Sequence, residues 1–374
     1  MFTKSDAIHI TIKPRGPICN LSCKYCYYLS KSSLYNNTNF SIKFKTYILL
    51  LENLKTFSSR STITWQGGEP TLRGLDFFKA ALDYQKKHGI KIRNYFQTNG
   101  INLNKEWIEF FKENDFLVGI SLDGPKELHE KNRVSSSKES YYEKIISNIR
   151  ALQKYDVDFN ILTTVNKANV NYAKEVYDYF VNDLNVNFLQ FIPIVQSVSG
   201  SGFNRENKLN PASILPEEYA NFMISIFDMW YKNDVGKVSV QLFEVIMSSW
   251  LGTEHGLCEF QKNCGQALCL EHNGDLYACD HFVEKDFLLG NIHEKSLREC
   301  FDNQKFYDFR TYKRRAVSKE CVACEYFFIC HGECPKNWIL KDKEGKRKNY
   351  LCESYKKIFK HTSGKLLALL SKSK

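Results

Sequence analysis

CNLSCKYC, residues 19–26, follows the short apolar run Ile8–Ile12 and is the most informative stretch of the chain. Its three cysteines have the spacing C-x3-C-x2-C, which can hold three irons of a 4Fe-4S cluster and leave the fourth iron open. A structural zinc site normally closes with four ligands, so zinc would need a distant histidine here, and this alternative stays open. The next cysteine is Cys258, and nine more follow up to Cys352, so the chain has two separate cysteine zones.

The composition is that of an ordinary folded protein. Hydrophobic residues make up 43% and charged residues 25% of the 374 residues, which excludes global disorder and a fibrous protein. The net charge of +10 is concentrated in residues 311–374, which hold 16 basic and 6 acidic side chains. Such a segment can attract nucleic acid or an acidic partner, but it is usually a solvated surface, and we expect no nucleic-acid partner.

The N-terminal residues and the cysteine content predict the cellular compartment. The N-terminus lacks a basic stretch followed by an apolar run of signal-peptide length, and no apolar segment reaches ~18 residues. We therefore expect a cytoplasmic protein without a membrane partner. Thirteen cysteines are an odd number and too many for idle thiols in a reducing compartment, which favours metal or cluster ligation.

Strand-like and helix-like segments alternate between the two cysteine zones, which predicts a parallel sheet with helices outside. The predicted strands are Ile8–Ile12, Thr62–Trp65, Tyr95–Gln97, Phe116–Leu122, Phe159–Val165 and Phe188–Ile192. The predicted helices between them are Tyr47–Leu54, Leu75–Lys86, Trp107–Lys112, Tyr142–Leu152 and Val170–Phe180. Because no Gly-rich nucleotide-binding turn follows the first strand, a partial (β/α)6 TIM-like barrel is favoured over a doubly wound sheet.

The later part of the chain predicts a second domain. Residues 196–207 are small, polar and Gly/Ser-rich, which indicates a long loop, and helices are expected at 217–231 and 242–251. A cysteine-rich module then runs from about Cys258 to Cys352, and a short helix is expected at 366–370. We therefore predict a barrel domain at 1–235 and a cysteine-rich domain at 236–374.

The first cysteine stretch resembles the motif of the radical SAM superfamily, which usually has an aromatic residue before the third cysteine, as Tyr25 is here. This resemblance implies an α/β fold with a partial barrel of the radical SAM type. It also implies that Cys19, Cys23 and Cys26 hold a 4Fe-4S cluster, and that the open iron of this cluster binds S-adenosylmethionine (SAM).

Contacts to SAM are expected at the carboxyl ends of the predicted strands, where barrels of this kind bind ligands. QGGEP at residues 66–70 follows the second strand and matches the superfamily's GGEP element for the methionine amino group. Ser121 ends the fourth strand, Arg133 offers a forked guanidinium for a carboxylate, and Val195 follows the sixth strand. The resemblance thus predicts cofactor contacts from Tyr25, Gly68, Ser121, Arg133 and Val195.

The second cysteine zone resembles the SPASM extension of peptide-modifying radical SAM enzymes, whose spacing C-x2-C-x5-C-x3-C runs from Cys321 to Cys334. Taken alone, such paired cysteines would suggest zinc ribbons. The resemblance implies two auxiliary 4Fe-4S clusters, each closed by four cysteines and suited to electron transfer. Cys269 and Cys300 are left over and are expected to be ordinary thiols. The implied ligand sets are Cys258, Cys264, Cys279 and Cys334 for the first cluster, and Cys321, Cys324, Cys330 and Cys352 for the second.

Blocks along nearly the whole chain resemble the anaerobic sulfatase-maturating enzymes, which oxidise a cysteine or serine of a sulfatase to formylglycine without oxygen. They include CNLSCKYCYY, WQGGEPTLRGLDFF, FLVGISLDGPKELHEKNR and YACD at residues 277–280. The resemblance implies three 4Fe-4S clusters and SAM as cofactors, a sulfatase polypeptide as substrate, and an electron donor such as flavodoxin or ferredoxin. It also implies that Asp280 accepts the proton released from the substrate. Without the resemblance, an Asp in this turn could equally cap the turn through its carboxylate.

Two other functions stay open. A SPASM maturase that crosslinks or epimerises another ribosomal peptide commonly carries a peptide-recognition domain before the barrel, and only 18 residues precede Cys19 here. A zinc-dependent nucleic-acid-binding protein would use the basic segment and the cysteine pairs. Iron and sulfide in the purified protein would exclude the zinc alternative.

Overall fold

The computed structural model describes residues 7–35, 39–58, 60–135, 137, 139–196 and 209–372. The strands are β1 Ala7–Ile12, β2 Arg60–Trp65, β3 Ile92–Thr98, β4 Leu117–Ser121, β5 Phe159–Val165, β6 Phe188–Pro193, β7 Ser239–Val240, β8 Ala267–Leu270, β9 Asp275–Tyr277, β10 Leu288–Asn291, β11 Leu340–Lys341 and β12 Arg347–Lys348. The α-helices are α1 Phe44–Phe57, α2 Leu75–Lys87, α3 Lys105–Glu113, α4 Lys126–His129, α5 Tyr142–Lys154, α6 Ala173–Asp178, α7 Pro216–Asn233, α8 Gln241–Leu251, α9 Leu297–Phe301, α10 Gln304–Ala316, α11 Lys319–Val322, α12 Phe327–Cys330 and α13 Cys352–Lys372.

The chain forms two compact units whose segments are interleaved along the sequence. The first unit comprises Met1–Ser121, Asn132–Phe159 and Gly265–Arg310, and the second comprises Leu122–Lys131, Asn160–Cys264 and Thr311–Lys374. The predicted domains at 1–235 and 236–374 follow motif content rather than contacts, and that division stays a prediction.

In the first unit, the strands have the order β10-β9-β8-β1-β2-β3-β4. β1 lies parallel to β2 on one side and to β8 on the other, with Ile10 opposite Ile63 and Leu268. The hairpin-like segments β8, β9 and β10 continue antiparallel from there. The alternation in β1 explains its place in the middle of this order, because Ile8, Ile10 and Ile12 are all buried.

Aromatic side chains form the core between the strands and helices of the first unit. Trp65 of β2 packs against Phe78 of α2 at a ring-centroid distance of 5.2 Å. Phe78 in turn contacts Phe96 of β3 at 5.2 Å, and Phe96 contacts Trp107 of α3 at 5.4 Å. These tilted and edge-on arrangements are the favourable ones for aromatic pairs, and the core fixes the strands whose carboxyl ends carry the site.

In the second unit, β5, β6 and β7 run parallel, with Ile161 opposite Leu189 and Leu189 opposite Val240. The helices α7 and α13 pack together in the same unit. The Ser354 hydroxyl of α13 donates to the Pro216 carbonyl at 2.6 Å, and the Lys365 ammonium bonds Asp228 at 2.7 Å.

The predicted elements are found within a few residues of their expected positions. The last helix is the exception, because a short helix was expected at 366–370 and α13 spans Cys352–Lys372. Its buried residues Tyr355, Ile358, Phe359 and Leu366 recur at helical spacing, but lysines and serines between them mask the pattern. The predicted loop at 196–207 lies, apart from Gln196, outside the described residues. No helix among the described residues is both long enough and apolar enough to cross a membrane.

Candidate active site

The three N-terminal cysteines lie together on the loop that follows β1. Cys23 and Cys26 are joined by a turn in which the Cys26 amide donates to the Cys23 carbonyl at 3.0 Å. Burial raises the pKa of the Cys19 thiol to about 12, and the neighbouring thiols of Cys23 and Cys26 contribute to this rise. None of the three forms a disulfide, all three are partly exposed, and the effect of Cys23 and Cys26 on Cys19 places this predicted ligand set in one electrostatic environment.

The two glycines after β2 lie where a side chain would overlap neighbouring atoms. A Cβ atom on Gly68 would lie 2.1 Å from the carbonyl oxygen of Ile18, next to the first cysteine, and a Cβ on Gly67 would lie 2.2 Å from Cδ of Lys13. The φ angle is positive at both positions, 110° at Gly67 and 53° at Gly68. The close approach of this turn to the cysteine loop therefore requires glycine at both positions, as the superfamily motif implies.

Glu69, which follows these glycines, connects the loops after β2 and β3. Its carboxylate is buried and accepts four hydrogen bonds, from the Thr71 amide at 3.0 Å and hydroxyl at 2.6 Å, the Thr98 hydroxyl at 2.8 Å and the Asn99 amide at 2.9 Å. Burial raises the pKa of Glu69, and these donors oppose the rise. The Asn99 side chain also donates to Asn20 of the cysteine loop at 2.7 Å. Glu69 thus has a structural role that the sequence did not reveal.

The other predicted SAM contacts have defined positions. Ser121 ends β4 and its hydroxyl accepts a hydrogen bond from the Gln97 amide group at 3.2 Å. The Arg133 guanidinium carbon lies 5.5 Å from the ring centre of Tyr25, which is 7% exposed. Val195 is buried in the second unit, two residues after β6. Their roles as cofactor contacts stay predictions.

Asp280 begins the 3-10 turn Asp280–Phe282, directly after Cys279, and its carboxylate contacts Tyr27 and Lys13 of the first unit. The Tyr27 hydroxyl donates to Oδ2 at 3.0 Å, and Nζ of Lys13 lies 3.7 Å from the same oxygen. The Lys13 side chain is 1% exposed and that of Asp280 is 16% exposed. Burial raises the pKa of Tyr27, and the charge of Asp280 raises it further, so Tyr27 remains a hydrogen-bond donor.

A second carboxylate lies in the same unit beyond Lys13. The Tyr28 hydroxyl donates to Oε1 of buried Glu271 at 2.5 Å, and Nζ of Lys13 lies 4.6 Å from the centre of the Tyr28 ring. Adjacent tyrosines therefore bond two different carboxylates, Tyr27 to Asp280 and Tyr28 to Glu271. Sequence reasoning missed Lys13, Tyr27 and Glu271, and a lysine at the end of an apolar strand was the one available signal.

In the second unit, the four cysteines predicted for the second auxiliary cluster line one cavity. Aromatic rings, including Tyr326, Tyr355 and Phe359, form much of the remaining wall. Burial raises the pKa of Cys330, and burial raises the pKa of Cys352 to about 11. Buried thiols in an aromatic cavity deprotonate readily only when a metal ion replaces the proton. The four cysteines therefore fit the ligand set of a metal cluster. The cysteines of the cavity are Cys321, Cys324, Cys330 and Cys352.

The remaining cysteines divide between the two units. Of the first predicted auxiliary set, Cys258, Cys264 and Cys334 belong to the second unit and Cys279 to the first. Cys269 on β8 and Cys300 on α9 are both fully buried in the first unit. No three His, Cys, Asp or Glu side chains in the described part of the chain are arranged to hold a single metal ion.

Comparison with known proteins assigns the chain to a family. The radical SAM superfamily model matches residues 14–180, and the model of an iron-sulfur cluster-binding domain, SPASM, matches residues 258–325. The serine-type anaerobic sulfatase-maturating enzyme of Bacteroides thetaiotaomicron is 36% identical, over 95% of this chain and 89% of that protein. The chain belongs to the anaerobic sulfatase-maturating enzymes.

Cysteine-type members of the family are similarly close. The cysteine-type anaerobic sulfatase-maturating enzyme of Clostridium novyi is 34% identical, with 96% of each chain covered. The solved structure of anSMEcpe with bound AdoMet and the Cp18Cys peptide has a TM-score of 0.88 and 30% identity, and the match covers 99% of this chain and 100% of that one. The predicted α/β fold with radical SAM and SPASM domains is confirmed.

These comparisons also confirm the predicted cofactors of this anaerobic sulfatase-maturating enzyme family member. A radical SAM domain uses a 4Fe-4S cluster with SAM, and a SPASM domain binds auxiliary iron-sulfur clusters. The assignment of individual residues to each cluster, to SAM and to proton transfer is not tested by the comparisons and stays a prediction.

Proposed function

We propose that this chain oxidises a cysteine or serine side chain of a sulfatase polypeptide to formylglycine without oxygen. The observation that carries this proposal is the Asp280 carboxylate, which one tyrosine and one buried lysine hold directly after Cys279. A positioned carboxylate is the group that the reaction needs, because oxidation of the substrate carbon releases a proton.

Eleven cysteines would hold the cofactors. The SAM-binding cluster would use Cys19, Cys23 and Cys26, and the two auxiliary sets would be Cys258, Cys264, Cys279 and Cys334, and Cys321, Cys324, Cys330 and Cys352. When bound, SAM and its cluster supply the agent that abstracts a hydrogen atom, and the auxiliary clusters supply acceptors for the second electron.

The chain's own residues would bind and orient SAM. Gly68 would contact the methionine amino group, and a side chain there would displace the Ile18 carbonyl next to Cys19. The Arg133 guanidinium lies over the Tyr25 ring and would bond the methionine carboxylate. Ser121 would bond the ribose or the carboxylate, and Val195 would contact the adenine.

Asp280 would accept the proton that leaves the substrate side chain. Lys13 stabilises the ionised carboxylate from 3.7 Å, and the Tyr27 hydroxyl fixes its orientation. Loss of one hydrogen atom, one proton and one electron converts a cysteine side chain to a thioaldehyde, which water hydrolyses to the aldehyde with release of sulfide. The same loss converts a serine side chain to the aldehyde directly.

We propose further that the enzyme works in the cytoplasm and receives electrons from a flavodoxin or ferredoxin. The reducing compartment suits a chain whose 13 cysteines, all among the described residues, form no disulfide. A small electron-transfer protein is the kind of partner that reduces a low-potential cluster.

The test is anaerobic incubation of the reconstituted enzyme with SAM, a reductant and a peptide that contains the sulfatase modification motif. Two peptides, one with cysteine and one with serine at the target position, would be compared by mass spectrometry. We expect formylglycine in at least one peptide and none in a control peptide with alanine at that position. SAM cleavage without any modified peptide would contradict the proposal.

A further inference from the structure

Arg15 and Arg73 follow the ends of β1 and β2, and both bond the short segment that leads into α1. The Arg15 guanidinium donates to the Ser41 hydroxyl. The Arg73 guanidinium donates to the Ile42 carbonyl through two nitrogens, each at 3.2 Å. Because their acceptors are consecutive residues, the two guanidiniums lie close together in the first unit. Burial lowers the pKa of Arg73, and the charge of Arg15 lowers it further.

Two lysines extend this positive charge along the same segment. Lys43 immediately precedes α1, Lys45 is the second residue of that helix, and both are exposed. The first turn of α1 contains no acidic residue. Since a helix begins with unpaired amide groups and the positive end of its dipole, this turn adds to the positive charge. Arg15, Lys43, Lys45 and Arg73 together form the four-cation surface.

No carboxylate of the described residues forms an ion pair with the four-cation surface. The acidic residues nearest to Arg73 in the sequence are Glu69 and Asp76. Glu69 is buried and already accepts four hydrogen bonds. Asp76 of α2 is exposed and forms no ion pair within the described part of the chain. Nε of Arg15 is buried and also has no hydrogen-bond partner among the described residues. Even with Asp76 counted, positive charge predominates here.

The four-cation surface adjoins the loop that carries the first three cysteines. The Ile18 amide donates to the Arg15 carbonyl at 3.1 Å, so Arg15 begins the turn that leads directly into Cys19. The Ile42 amide donates to the Pro14 carbonyl at 2.9 Å, which fixes the lysine-bearing segment against the same turn. A partner bound at this surface would therefore lie beside the proposed SAM-binding cluster, which has to receive an electron from outside the chain.

We propose that the four-cation surface is the docking site of the reduced electron carrier, and that it binds carboxylates arranged around the carrier's redox group. The inference rests on the proposed function for the need of an external electron donor. A group of like charges attracts a partner of opposite charge and repels one of the same charge, so an acidic carrier fits this surface. Arginine suits carboxylate recognition, since its planar guanidinium presents paired donors. Electron-transfer complexes are small and weak, so a few charges can control how fast they form.

The test measures how fast a reduced flavodoxin or ferredoxin with an acidic surface drives SAM cleavage by the reconstituted full-length enzyme, at carrier concentrations that limit the rate. Lys43→Gln combined with Lys45→Gln removes two exposed charges and leaves the arginine hydrogen bonds in place. Arg15→Gln combined with Arg73→Gln removes the other two charges. Arg15→Lys combined with Arg73→Lys retains both charges.

Two controls separate local charge from other effects. Arg60→Gln combined with Lys91→Gln removes two exposed cations at the amino ends of β2 and β3, whereas the four-cation surface follows the carboxyl ends of β1 and β2. Reduced methyl viologen replaces the protein carrier in a second series. It is a cation, so removal of positive charge should not slow its reaction.

We expect each glutamine pair in the four-cation surface to lower the second-order rate constant for the acidic carriers about tenfold at low ionic strength. This loss should nearly vanish in 1 M salt, where the screening length is about 3 Å. The Arg-to-Lys pair, the control pair and all reactions with methyl viologen should stay within about twofold of the parent. Parent-like rates with the acidic carriers in both glutamine pairs, or an equal loss in the control pair, would overturn the proposal.

If the arginine-to-glutamine pair loses iron, the lysine-to-glutamine pair decides, because its side chains are exposed. A higher KM for the peptide with unchanged carrier rates would assign the surface to the polypeptide substrate and overturn the proposal. If neither carrier reduces the parent enzyme, the inference fails. Formylglycine formation driven by methyl viologen would then still support the proposed oxidation, so the two failures are distinguishable.

Discussion

The cysteine loop after β1 and the four-cysteine cavity of the second unit differ in their neighbours as well as in their number of thiols. The loop has three cysteines beside polar groups, including the buried carboxylate of Glu69 and the side chain of Asn99. The cavity has four cysteines beside aromatic rings such as Tyr355 and Phe359. Three ligands leave a position for SAM, whereas four ligands in an apolar wall close the cluster and suit it to electron transfer.

The same contrast holds for the buried lysines of the two units. Lys13 lies 3.7 Å from the Asp280 carboxylate, so its charge acts on the group proposed to accept the proton. Lys313 bonds the backbone carbonyls of Glu259 and Gln261, and the buried carboxylate of Glu333 lies within its electrostatic range. Under the assignments proposed above, one lysine lies beside the proposed proton acceptor, and the other bonds the backbone of the segment that carries Cys258 and Cys264.

The largest effect on SAM cleavage is expected from changes to the cysteine loop after β1. A variant with alanine at Cys19, Cys23 and Cys26 should lose all SAM cleavage, because no open iron remains to bind SAM. It should keep about two thirds of the roughly twelve irons and twelve sulfides expected per chain for three 4Fe-4S clusters. Iron and sulfide analysis together with detection of 5'-deoxyadenosine measures both outcomes. Wild-type protein with iron near four per chain, or with zinc, would contradict the model of two auxiliary clusters.

A cysteine substitution in the four-cysteine cavity of the second unit should affect formylglycine formation and not SAM cleavage. Cys330→Ala should damage one auxiliary cluster and leave the SAM-binding triplet intact, so SAM cleavage should continue while formylglycine formation collapses. Cys300→Ala is the matched control, because Cys300 is a buried cysteine outside all predicted ligand sets. An unchanged yield of formylglycine after confirmed loss of one cluster would show that the second electron leaves by another route.

Asp280→Asn tests the substrate side of the comparison. Asparagine has a similar size but cannot act as a carboxylate base, so iron content and SAM binding should stay normal while formylglycine falls by at least ~10^2-fold. With a peptide deuterated at the target Cβ, deuterium should still reach 5'-deoxyadenosine. Asp286→Asn, an exposed aspartate six residues further along, should be near wild type. Near wild-type activity of Asp280→Asn itself would leave this residue only a turn-capping role.

The local sequence pattern predicted most strands and helices. Contacts with residues distant in the sequence explain where the predicted bounds differ from the structure. The bounds expected for β5 agree with the structure at both ends, because apolar or β-branched residues occupy every position of this strand except Asn160. β3 was expected at only Tyr95–Gln97, since polar Asn94 interrupts the pattern. In the folded chain Asn94 is buried and accepts a hydrogen bond from the Trp65 indole at 3.1 Å. The residues next to Asn94 in the sequence give no indication of this hydrogen bond.

The candidate site shows the same limit. Cysteine spacing and the family resemblance that it carries predicted all proposed ligands, and their assignment stays a prediction. Tyr27 and Asp280 are 253 positions apart, and Lys13 reaches Asp280 only because β1 lies beside β8. Lys313 could not be distinguished from the surrounding basic residues until its burial was known.

Alanine substitutions at two glycines distinguish the effect of backbone strain from an effect on SAM binding. Gly68 and Gly74 both have positive φ, at 53° and 87°, so alanine at either position should cost about 1 kcal/mol of stability from backbone strain alone. Only at Gly68 would a Cβ meet another atom within 4 Å, the Ile18 carbonyl oxygen at 2.1 Å being the nearest. Gly68→Ala should therefore weaken SAM binding at least ~10-fold, the change that 1.4 kcal/mol produces, while Gly74→Ala binds SAM normally. Equal SAM affinity of the two variants, measured by equilibrium binding, would remove Gly68 from the site.

The smallest expected effect concerns the two adjacent tyrosines. Tyr27→Phe removes the hydroxyl that donates to Asp280 but leaves Lys13 in place, so formylglycine formation should slow by about threefold to tenfold, as for one lost hydrogen bond. Tyr28→Phe removes the neighbouring hydroxyl, which donates to Glu271 instead. Both variants lose one buried hydrogen bond to a carboxylate, so thermal unfolding should show similar losses of stability. Only Tyr27→Phe should slow the proton-dependent step while 5'-deoxyadenosine formation stays normal. Equal slowing in both variants would mean that the tyrosines act through packing and that Tyr27 does not orient the base.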